Sequence, residues 1–337
     1  MASRAFITGL SGLTITANER SFLREAKPWG LIVFNRNISD PQQLTDLTEE
    51  FRDIVGWQAP VLVDQEGGRV ARLGPPHWPV YPPGVRYSEI YDRDPTSALA
   101  TAKLAGRLIA ADLAEVGIDT DCLPIADVPV PGHDPIIGDR AYGTSPGKVA
   151  EIANAVAQGL LAGGVLPVLK HLPGHGRANA DSHLKLPVVD TPRGELEKTD
   201  FAAFVPLSEL PLGMTAHVVF SAIDPASPAT TSATMVSEVI RGFIGFKGLL
   251  MSDDVSMGAL SGTIADRSHA ALAAGCDVVL HCNGDLNEML QVAGAAPELD
   301  GVAAQRAEAA LAARRAREDF DVAAARKIFN QMVAVTS

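Results

Sequence analysis

Two short segments carry side chains that could act together on an electrophilic carbon. In Asp181-Ser182-His183, a carboxylate two residues before an imidazole can hold one tautomer and raise the basicity of the ring, which gives a general acid/base near neutral pH. A surface loop in which Asp181 caps a turn is the alternative. Ser252-Asp253-Asp254 adds two carboxylates, one of which could be a nucleophile. Because adjacent strand residues point to opposite faces, we expect only one of these aspartates to face a pocket.

A third segment, residues 170–176 (KHLPGHG), could supply polar contacts to a ligand. Its two histidines have the spacing of metal ligands on a helix, but Pro173 and Gly174 lie between them and prevent that helix. The pattern therefore favours a tight turn that points Lys170 and His171 into a pocket. There they could hydrogen-bond hydroxyl or carboxylate groups. The sequence predicts no metal site here.

A fourth segment, residues 64–72 (DQEGGRVAR), combines carboxylates and arginines around two glycines that allow a sharp turn. A carboxylate that accepts and an arginine that donates are a common clamp for vicinal hydroxyls. For Arg69, an internal ion pair that braces the loop is the alternative.

The elements that must position these segments follow from the alternation of apolar runs and helical patterns. The second candidate strand, Gly30-Leu31-Ile32-Val33-Phe34, is apolar throughout, which suits parallel strands buried on both faces. Eight candidate strands span residues 5–9, 30–34, 61–64, 122–127, 166–171, 213–217, 249–253 and 278–282. Candidate helices include residues 41–55, 96–116, 232–243 and 262–275, with further helical sequence in the tail after residue 298.

Eight strand-then-helix units predict an α/β fold, a (β/α)8 TIM-type barrel that forms a single domain over residues 1–337. A doubly wound open sheet is the alternative, although no glycine-rich dinucleotide fingerprint follows the first strand. In a barrel the active site lies at the carboxyl ends of the strands. Six of the eight candidate strands end in polar side chains, and a merely solvated rim is the competing interpretation. These side chains are Asp64, Asp127, Lys170, His171, His217, Asp253, Asp254 and His281.

Composition limits the class of protein. The chain has 337 residues, of which 47% are apolar, and a formal net charge of −12. This excludes a mainly disordered chain and argues against nucleic-acid binding, which usually needs a basic surface. Three cysteines give no disulfide framework, and neither a signal-peptide pattern nor an apolar run of the roughly 18 residues that a membrane span needs is present. We expect a cytoplasmic monomer that acts on a small molecule without membrane or nucleic-acid partners.

The four motifs together resemble glycoside hydrolase family 3, and especially its bacterial β-N-acetylglucosaminidase branch. They occur in consistent order, and the resemblance runs from near residue 30 to about residue 283. It implies a retaining mechanism with a covalent glycosyl-enzyme intermediate and no metal or organic cofactor. It also implies that Asp253 is the nucleophile and that His183, partnered by Asp181, is the acid/base. A histidine in this role departs from the two-carboxylate rule for glycosidases.

The resemblance further implies a set of sugar-binding residues, which are Asp64, Arg72, Arg140, Lys170 and His171. Arg140 lies in residues 136–142, which resemble the arginine loop that follows the family's fourth strand. Leu172 stands where the family usually has phenylalanine, which could alter local packing. The implied function is a cytoplasmic exo-β-N-acetylglucosaminidase that releases terminal N-acetylglucosamine from muropeptide fragments during peptidoglycan recycling.

Four alternatives remain open at this stage. A histidine acid/base would not repel phosphate as a carboxylate does, so a phosphorylase is possible within the family, as is a β-glucosidase. A metal-dependent barrel enzyme could use His171, His175, His217 and Asp253, although the usual His-x-His after the first strand is absent. A non-catalytic sugar-binding protein is the last alternative.

Overall fold

The computed structural model describes residues 3–132, 134–182, 185–314 and 316–334, and within them eight parallel strands close into a barrel. Each strand pairs with its neighbours in the chain, and the first also pairs with the last, which leaves no sheet edge. The predicted (β/α)8 architecture is confirmed. The strands are β1 (Arg4–Thr8), β2 (Pro28–Val33), β3 (Val61–Val63), β4 (Thr120–Asp121), β5 (Leu166–Leu172), β6 (Leu212–Thr215), β7 (Leu249–Asp254) and β8 (Val278–His281).

Helices follow the strands, and two more helices end the described chain. They are α1 (Ala17–Ala26), α2 (Pro41–Val55), α3 (Gly84–Tyr91), α4 (Pro95–Glu115), α5 (Pro146–Ala162), α6 (Arg193–Leu196), α7 (Met235–Phe243), α8 (Ile264–Ala274), α9 (Leu286–Ala295), α10 (Gly301–Ala312) and α11 (Val322–Ala334). Within the described residues, no helix combines the length and the apolar character needed to cross a membrane.

Helix α2 shows why these sequences form these elements. Asp40 accepts a hydrogen bond from the amide of Gln43 and caps the first turn, and Pro41 occupies a position where no amide donor is needed. Gly56 ends the helix in the left-handed conformation, at φ 78°. Leu44 and Phe51 are fully buried, and burying each such side chain contributes about 1.5–3 kcal/mol. The predicted helix over residues 41–55 is confirmed.

Two predicted elements differ from the structure. The fourth strand was expected over residues 122–127 but lies at Thr120–Asp121, because Pro124 has no amide to donate to a ladder. Beyond it the chain stays beside β5 through an isolated bridge between Ile125 and Lys170. The helix expected over residues 232–243 is present as the π-helix α7, whose wider turn is visible where the amide of Ile244 donates to the carbonyl of Val239.

A short ribbon shapes the region above β3. Gln65–Gly67 pairs antiparallel with Val70–Ala71, and the reversal passes through Gly67 at φ 93° and Gly68 at φ 57°. A Cβ atom at Gly67 would lie 2.4 Å from the carbonyl oxygen of Pro82, so this turn requires glycine. The ribbon therefore holds the polar residues of the DQEGGRVAR segment against the barrel mouth.

Candidate active site

A cavity of about 320 Å³ lies at the carboxyl ends of the strands. This volume is at the lower end of the range for small-molecule sites, about 300–1,000 Å³. All five predicted sugar-binding residues line it, together with Asp253. The lining residues are Ile32, Phe34, Asp64, Glu66, Arg69, Val70, Arg72, Ile136, Ile137, Arg140, Lys170, His171, His175, Ser182, Met214, Asp253, Asp254, Met257, Leu280 and Cys282.

One wall of the cavity is a cluster of three cations and two carboxylates, which we call the charged cluster: Asp64, Glu66, Arg72, Arg140 and Lys170. At its centre, the Lys170 ammonium lies 2.9 Å from Asp64 Oδ1 and 2.6 Å from Glu66 Oε1. Burial alone would lower the pKa of Lys170, but the two carboxylates raise it above its usual value. Lys170 is therefore a fixed positive charge, although only 2% of its side chain is exposed.

Two arginines complete the charged cluster. Arg140 grips Glu66 with two hydrogen bonds, of 2.9 Å from Nε and 2.8 Å from Nη2. Arg72 donates to Asp64 Oδ2 at 3.0 Å, and its guanidinium lies over the Phe34 ring, 5.3 Å from the centroid. Burial opposes ionisation of Asp64, but its cationic neighbours hold the pKa of that carboxyl well below its usual range. The cluster thus offers both fixed acceptors and fixed donors to a polyhydroxylated ligand.

A second unit is built on Asp127, which follows β4 and is fully buried. Its Oδ2 lies 2.7 Å from Nδ1 of His171, and its Oδ1 accepts from the backbone amide of His175 at 2.6 Å. Burial opposes ionisation of Asp127, but the two histidines lower the pKa of this carboxyl below its usual value. An ionised Asp127 can only accept, so Nδ1 of His171 is the donor in this pair.

The two aspartates at the end of β7 differ in what holds them. The Asp254 carboxylate accepts from the amide and hydroxyl of Ser256, at 3.0 and 2.6 Å, and from the amide of Cys282 at 3.1 Å. Asp253 Oδ1 accepts from the amide of Asp254 at 2.8 Å. Asp254 therefore ties β7 to the chain beyond β8. Asp253 is the better candidate for attack on a ligand.

The charge state of Asp253 suits that role. Burial would raise the pKa of Asp253, but nearby His217 and His171 outweigh it, so the pKa lies below the usual value and the carboxylate is ionised at neutral pH. His217 is fixed in turn, since its Nδ1 lies 2.7 Å from the Thr230 hydroxyl and its Nε2 lies 2.9 Å from the carbonyl of Asp254.

We expected only one of the two aspartates to face the pocket, and the structure distinguishes them by the partners of their carboxylates rather than by their place. Both Asp253 and Asp254 line the cavity. The pairing register of β7 with β8 shifts between Met251 and Asp254, which interrupts the regular alternation of side chains at the strand end. A single sequence does not reveal such an irregularity.

The Asp-x-His segment is described in part. Asp181 is half-buried and Ser182 lines the cavity, whereas His183 lies outside the described residues, so its predicted role stays a prediction. The Ser182 hydroxyl lies 3.1 Å from Nε2 of His175. Ser182 and Asp253, about seventy positions apart, therefore meet at one cavity.

Other strand-end residues have supporting positions. Arg69 lines the cavity and joins two loops. It pairs with Asp139 at 3.1 Å, as the ion-pair alternative predicted, and it donates to the carbonyl of Ile136 at 2.5 Å. His281 pairs with Glu288 at 3.0 Å and is not among the lining residues. Leu172 is fully buried and is also not among the lining residues, so the substitution in the KHLPGHG motif affects barrel packing.

Glu66 is the principal residue that the sequence interpretation missed. It was part of the DQEGGRVAR segment but was not assigned a role, although it holds both Arg140 and Lys170. A signal was available, because Glu66 is two residues after Asp64 and residues at that spacing share a face of an extended chain.

No group of three or more histidine, cysteine, aspartate or glutamate side chains among the described residues is arranged to hold a metal ion. Two histidines of the metal-enzyme alternative are engaged with other partners. His171 is bonded to Asp127, and His217 is bonded to Thr230 and to the carbonyl of Asp254.

Comparison with known proteins gives a consistent result. A family model described as the glycosyl hydrolase family 3 N-terminal domain matches residues 7–315. A β-hexosaminidase from Alkalilimnicola ehrlichii is 40% identical over 279 residues, which are 82% of this chain and 79% of that protein. One from Chromobacterium violaceum is 36% identical over 92% of this chain and 87% of that protein. The crystal structure of NagZ from Neisseria gonorrhoeae with N-trifluoroacetyl-D-glucosamine matches with a TM-score of 0.85 and 30% identity, covering 100% of this chain and 98% of that one.

Proposed function

The chain belongs to glycosyl hydrolase family 3, and from that premise we propose that it is a retaining exo-β-N-acetylglucosaminidase. Its relatives named β-hexosaminidase and the sugar derivative bound to the NagZ of Neisseria gonorrhoeae support a substrate with a terminal N-acetylglucosamine. The likeness to NagZ, together with the resemblance of the motifs, supports muropeptide fragments of peptidoglycan as the source of that sugar. The enzyme would then act in the cytoplasm, as a monomer and without a cofactor.

The charged cluster would bind the terminal sugar. Asp64 and Glu66 supply oxygens that accept from sugar hydroxyls, while Lys170 and the two arginines donate. Because each charge in the cluster already has a partner, the donors and acceptors are fixed in place before the sugar arrives. Less side-chain ordering is then needed on binding, which favours affinity.

Asp253 would attack the anomeric carbon and displace the leaving-group oxygen, which His183 protonates. The resulting glycosyl-enzyme would be released by a water molecule that His183, now neutral, deprotonates. Asp181 would orient the imidazole. The observation that carries this proposal is the ionised Asp253 in a cavity that Ser182, the residue before His183, also lines.

Trapping of the intermediate tests the nucleophile directly. A 5-fluoro N-acetylglucosaminyl fluoride slows release of the sugar, so mass spectrometry should find one sugar attached to the peptide that contains Asp253. Aryl β-N-acetylglucosaminide should be hydrolysed by the wild type and, at most, feebly by Asp253→Ala. Attachment of the sugar to a different residue would overturn the assignment.

Two product analyses separate the alternatives within the family. Reaction with and without inorganic phosphate should yield free N-acetylglucosamine in both cases, whereas a phosphorylase would yield the 1-phosphate. A panel of aryl glycosides should show a strong preference for the N-acetylated sugar over glucose. For the natural substrate, release of N-acetylglucosamine from muropeptides should be faster than from chitobiose.

A further inference from the structure

The residue between Asp181 and His183 has its own fixed place in the cavity wall. Ser182 is 3% exposed, and its hydroxyl lies 3.1 Å from Nε2 of His175. Its backbone carbonyl accepts from the amide of Ala259 at 3.2 Å. Ser182 is therefore held on one side by the chain that follows β5 and on the other by the chain that follows β7.

His175 is itself anchored. Its backbone amide donates to Asp127 Oδ1 at 2.6 Å, while Oδ2 of the same carboxylate pairs with His171. The ring of His175 packs edge-on against that of His171, with centroids 5.7 Å apart, and His175 is only 3% exposed. Burial, with a smaller effect of His171, lowers the pKa of His175 to about 4, so its ring is neutral at the pH of the proposed reaction.

These contacts form a continuous chain from a buried carboxylate to the acid/base segment. We propose that Ser182 is a positioning residue for the acid/base step, held by His175, which Asp127 anchors. This inference rests on the proposed function, because it takes His183, the next residue in the chain, as the group that protonates the leaving oxygen. Asp127 then orients two groups at once, the sugar-binding imidazole of His171 and the segment that carries the acid/base.

The expected cost of losing this contact is moderate. Acid catalysis contributes about 10²–10⁴-fold, and a displacement of about 1 Å in a catalytic group can cost about 10²-fold. Ser182→Ala removes one hydrogen bond of the segment and leaves His183 in the chain. For substrates whose leaving group needs a proton, we therefore expect Ser182→Ala to lower kcat/KM by about tenfold. This loss should be smaller than that of His183→Ala.

Leaving-group dependence is a measurement that a merely structural role would not change. A dinitrophenyl leaving group departs without protonation, whereas an alkyl or sugar aglycone requires it. We therefore compare kcat/KM for 2,4-dinitrophenyl and methyl β-N-acetylglucosaminides in the wild type, Ser182→Ala and His183→Ala. Ser182→Ala should lose about tenfold with the methyl glycoside and less than about twofold with the dinitrophenyl glycoside. The matched control is Ser268→Ala, which removes an equally buried hydroxyl that donates to the Ile264 carbonyl within α8.

The outcomes separate the inference from the function on which it rests. Suppose that His183→Ala discriminates between the two glycosides, but Ser182→Ala lowers kcat/KM equally for both or for neither of them. The positioning role is then wrong and the proposed function stands. If His183→Ala itself does not discriminate, the acid assignment is wrong and the positioning role falls with it. Discrimination by both variants, with Ser268→Ala unchanged, supports the inference.

A second pair of variants tests the other end of the contact. His175→Gln keeps an amide group that can donate or accept near the position of Nε2, and His175→Ala removes this partner. His175→Ala should show the same leaving-group dependence as Ser182→Ala, and His175→Gln should restore part of the activity on the methyl glycoside. The double variant Ser182→Ala/His175→Ala should be no worse than the poorer single variant, because both remove one contact. Full additivity of the two losses would contradict a shared contact.

Discussion

The two sides of the cavity hold their carboxylates in opposite ways. In the charged cluster, Asp64 and Glu66 each meet two cationic side chains. At the end of β7, Asp253 accepts from a backbone amide, and nearby His217 and His171 outweigh the effect of burial and keep its carboxylate ionised. A carboxylate neutralised by direct partners is a poor nucleophile but a well-positioned ligand for hydroxyls. The difference therefore separates a binding side from a reacting side, and it can be tested variant by variant.

Replacement of the nucleophile should have the largest effect. Asp253→Ala removes the side chain proposed to attack the anomeric carbon in the first step, and loss of a nucleophile typically lowers kcat by about 10⁴-fold or more. KM should change little, because the charged cluster remains. Stability should also change little, since the structure gives this carboxylate one backbone hydrogen bond. The measurements are kcat and KM on an aryl glycoside, together with the thermal midpoint.

The matched control is Asp254→Ala at the neighbouring position. It removes a carboxylate that accepts from Ser256 and from Cys282, so it should lower the thermal midpoint far more than Asp253→Ala does. If both variants lost stability equally and retained equal activity, the separation between the two aspartates would be wrong.

Removal of the central cation should have the next largest effect, and it should appear in stability. Lys170→Met leaves Asp64 and Glu66 buried with one cationic partner fewer, and breaking a buried ion pair costs about 3–5 kcal/mol. Denaturant unfolding measures this loss. The double variant Lys170→Met/Glu66→Gln should recover part of it, because the second change removes one of the uncompensated charges. A double variant less stable than the single one would contradict this account.

The sequence supplied most of the architecture and one side of the cavity. Apolar runs located the barrel strands except the fourth, which lies at Thr120–Asp121. The ion-pair alternative for Arg69 anticipated how that loop is braced. Glu66 was missed because a charged turn residue is normally solvated, and only the fold shows that its side chain is 4% exposed between two cations. Both Asp253 and Asp254 line the cavity at a point where the pairing register of β7 with β8 shifts, which local sequence does not show. Long-range contacts of this kind are set by packing between distant segments rather than by local pattern.

The pH dependence of stability tests the burial of His175, the residue that holds Ser182 in place. Burial lowers the pKa of His175 to about 4, below the value near 6.5 that the unfolded chain would have. The unfolded state therefore binds more protons below about pH 6.5, so stability is full above that pH and falls as the pH decreases toward 4. This histidine should contribute a loss of about 2 kcal/mol between pH 7 and pH 5. Denaturant unfolding of the wild type and His175→Gln at both pH values isolates this contribution. If the free energy of unfolding changed equally with pH in the two proteins, the assignment would be refuted.

The smallest effect is expected at the rim, where Arg69 pairs with Asp139 in solvent. Their side chains are 44% and 47% exposed, and exposed ion pairs contribute about 0–1 kcal/mol. Arg69→Ala should therefore leave the free energy of unfolding nearly unchanged. Its guanidinium also lies 2.5 Å from the carbonyl of Ile136, at the start of the loop that carries Arg140, so a modest rise in KM with unchanged kcat is expected. If kcat fell instead, Arg69 would influence the reaction step. The rim would then have to be counted with the residues that support reaction rather than with those that only bind the sugar.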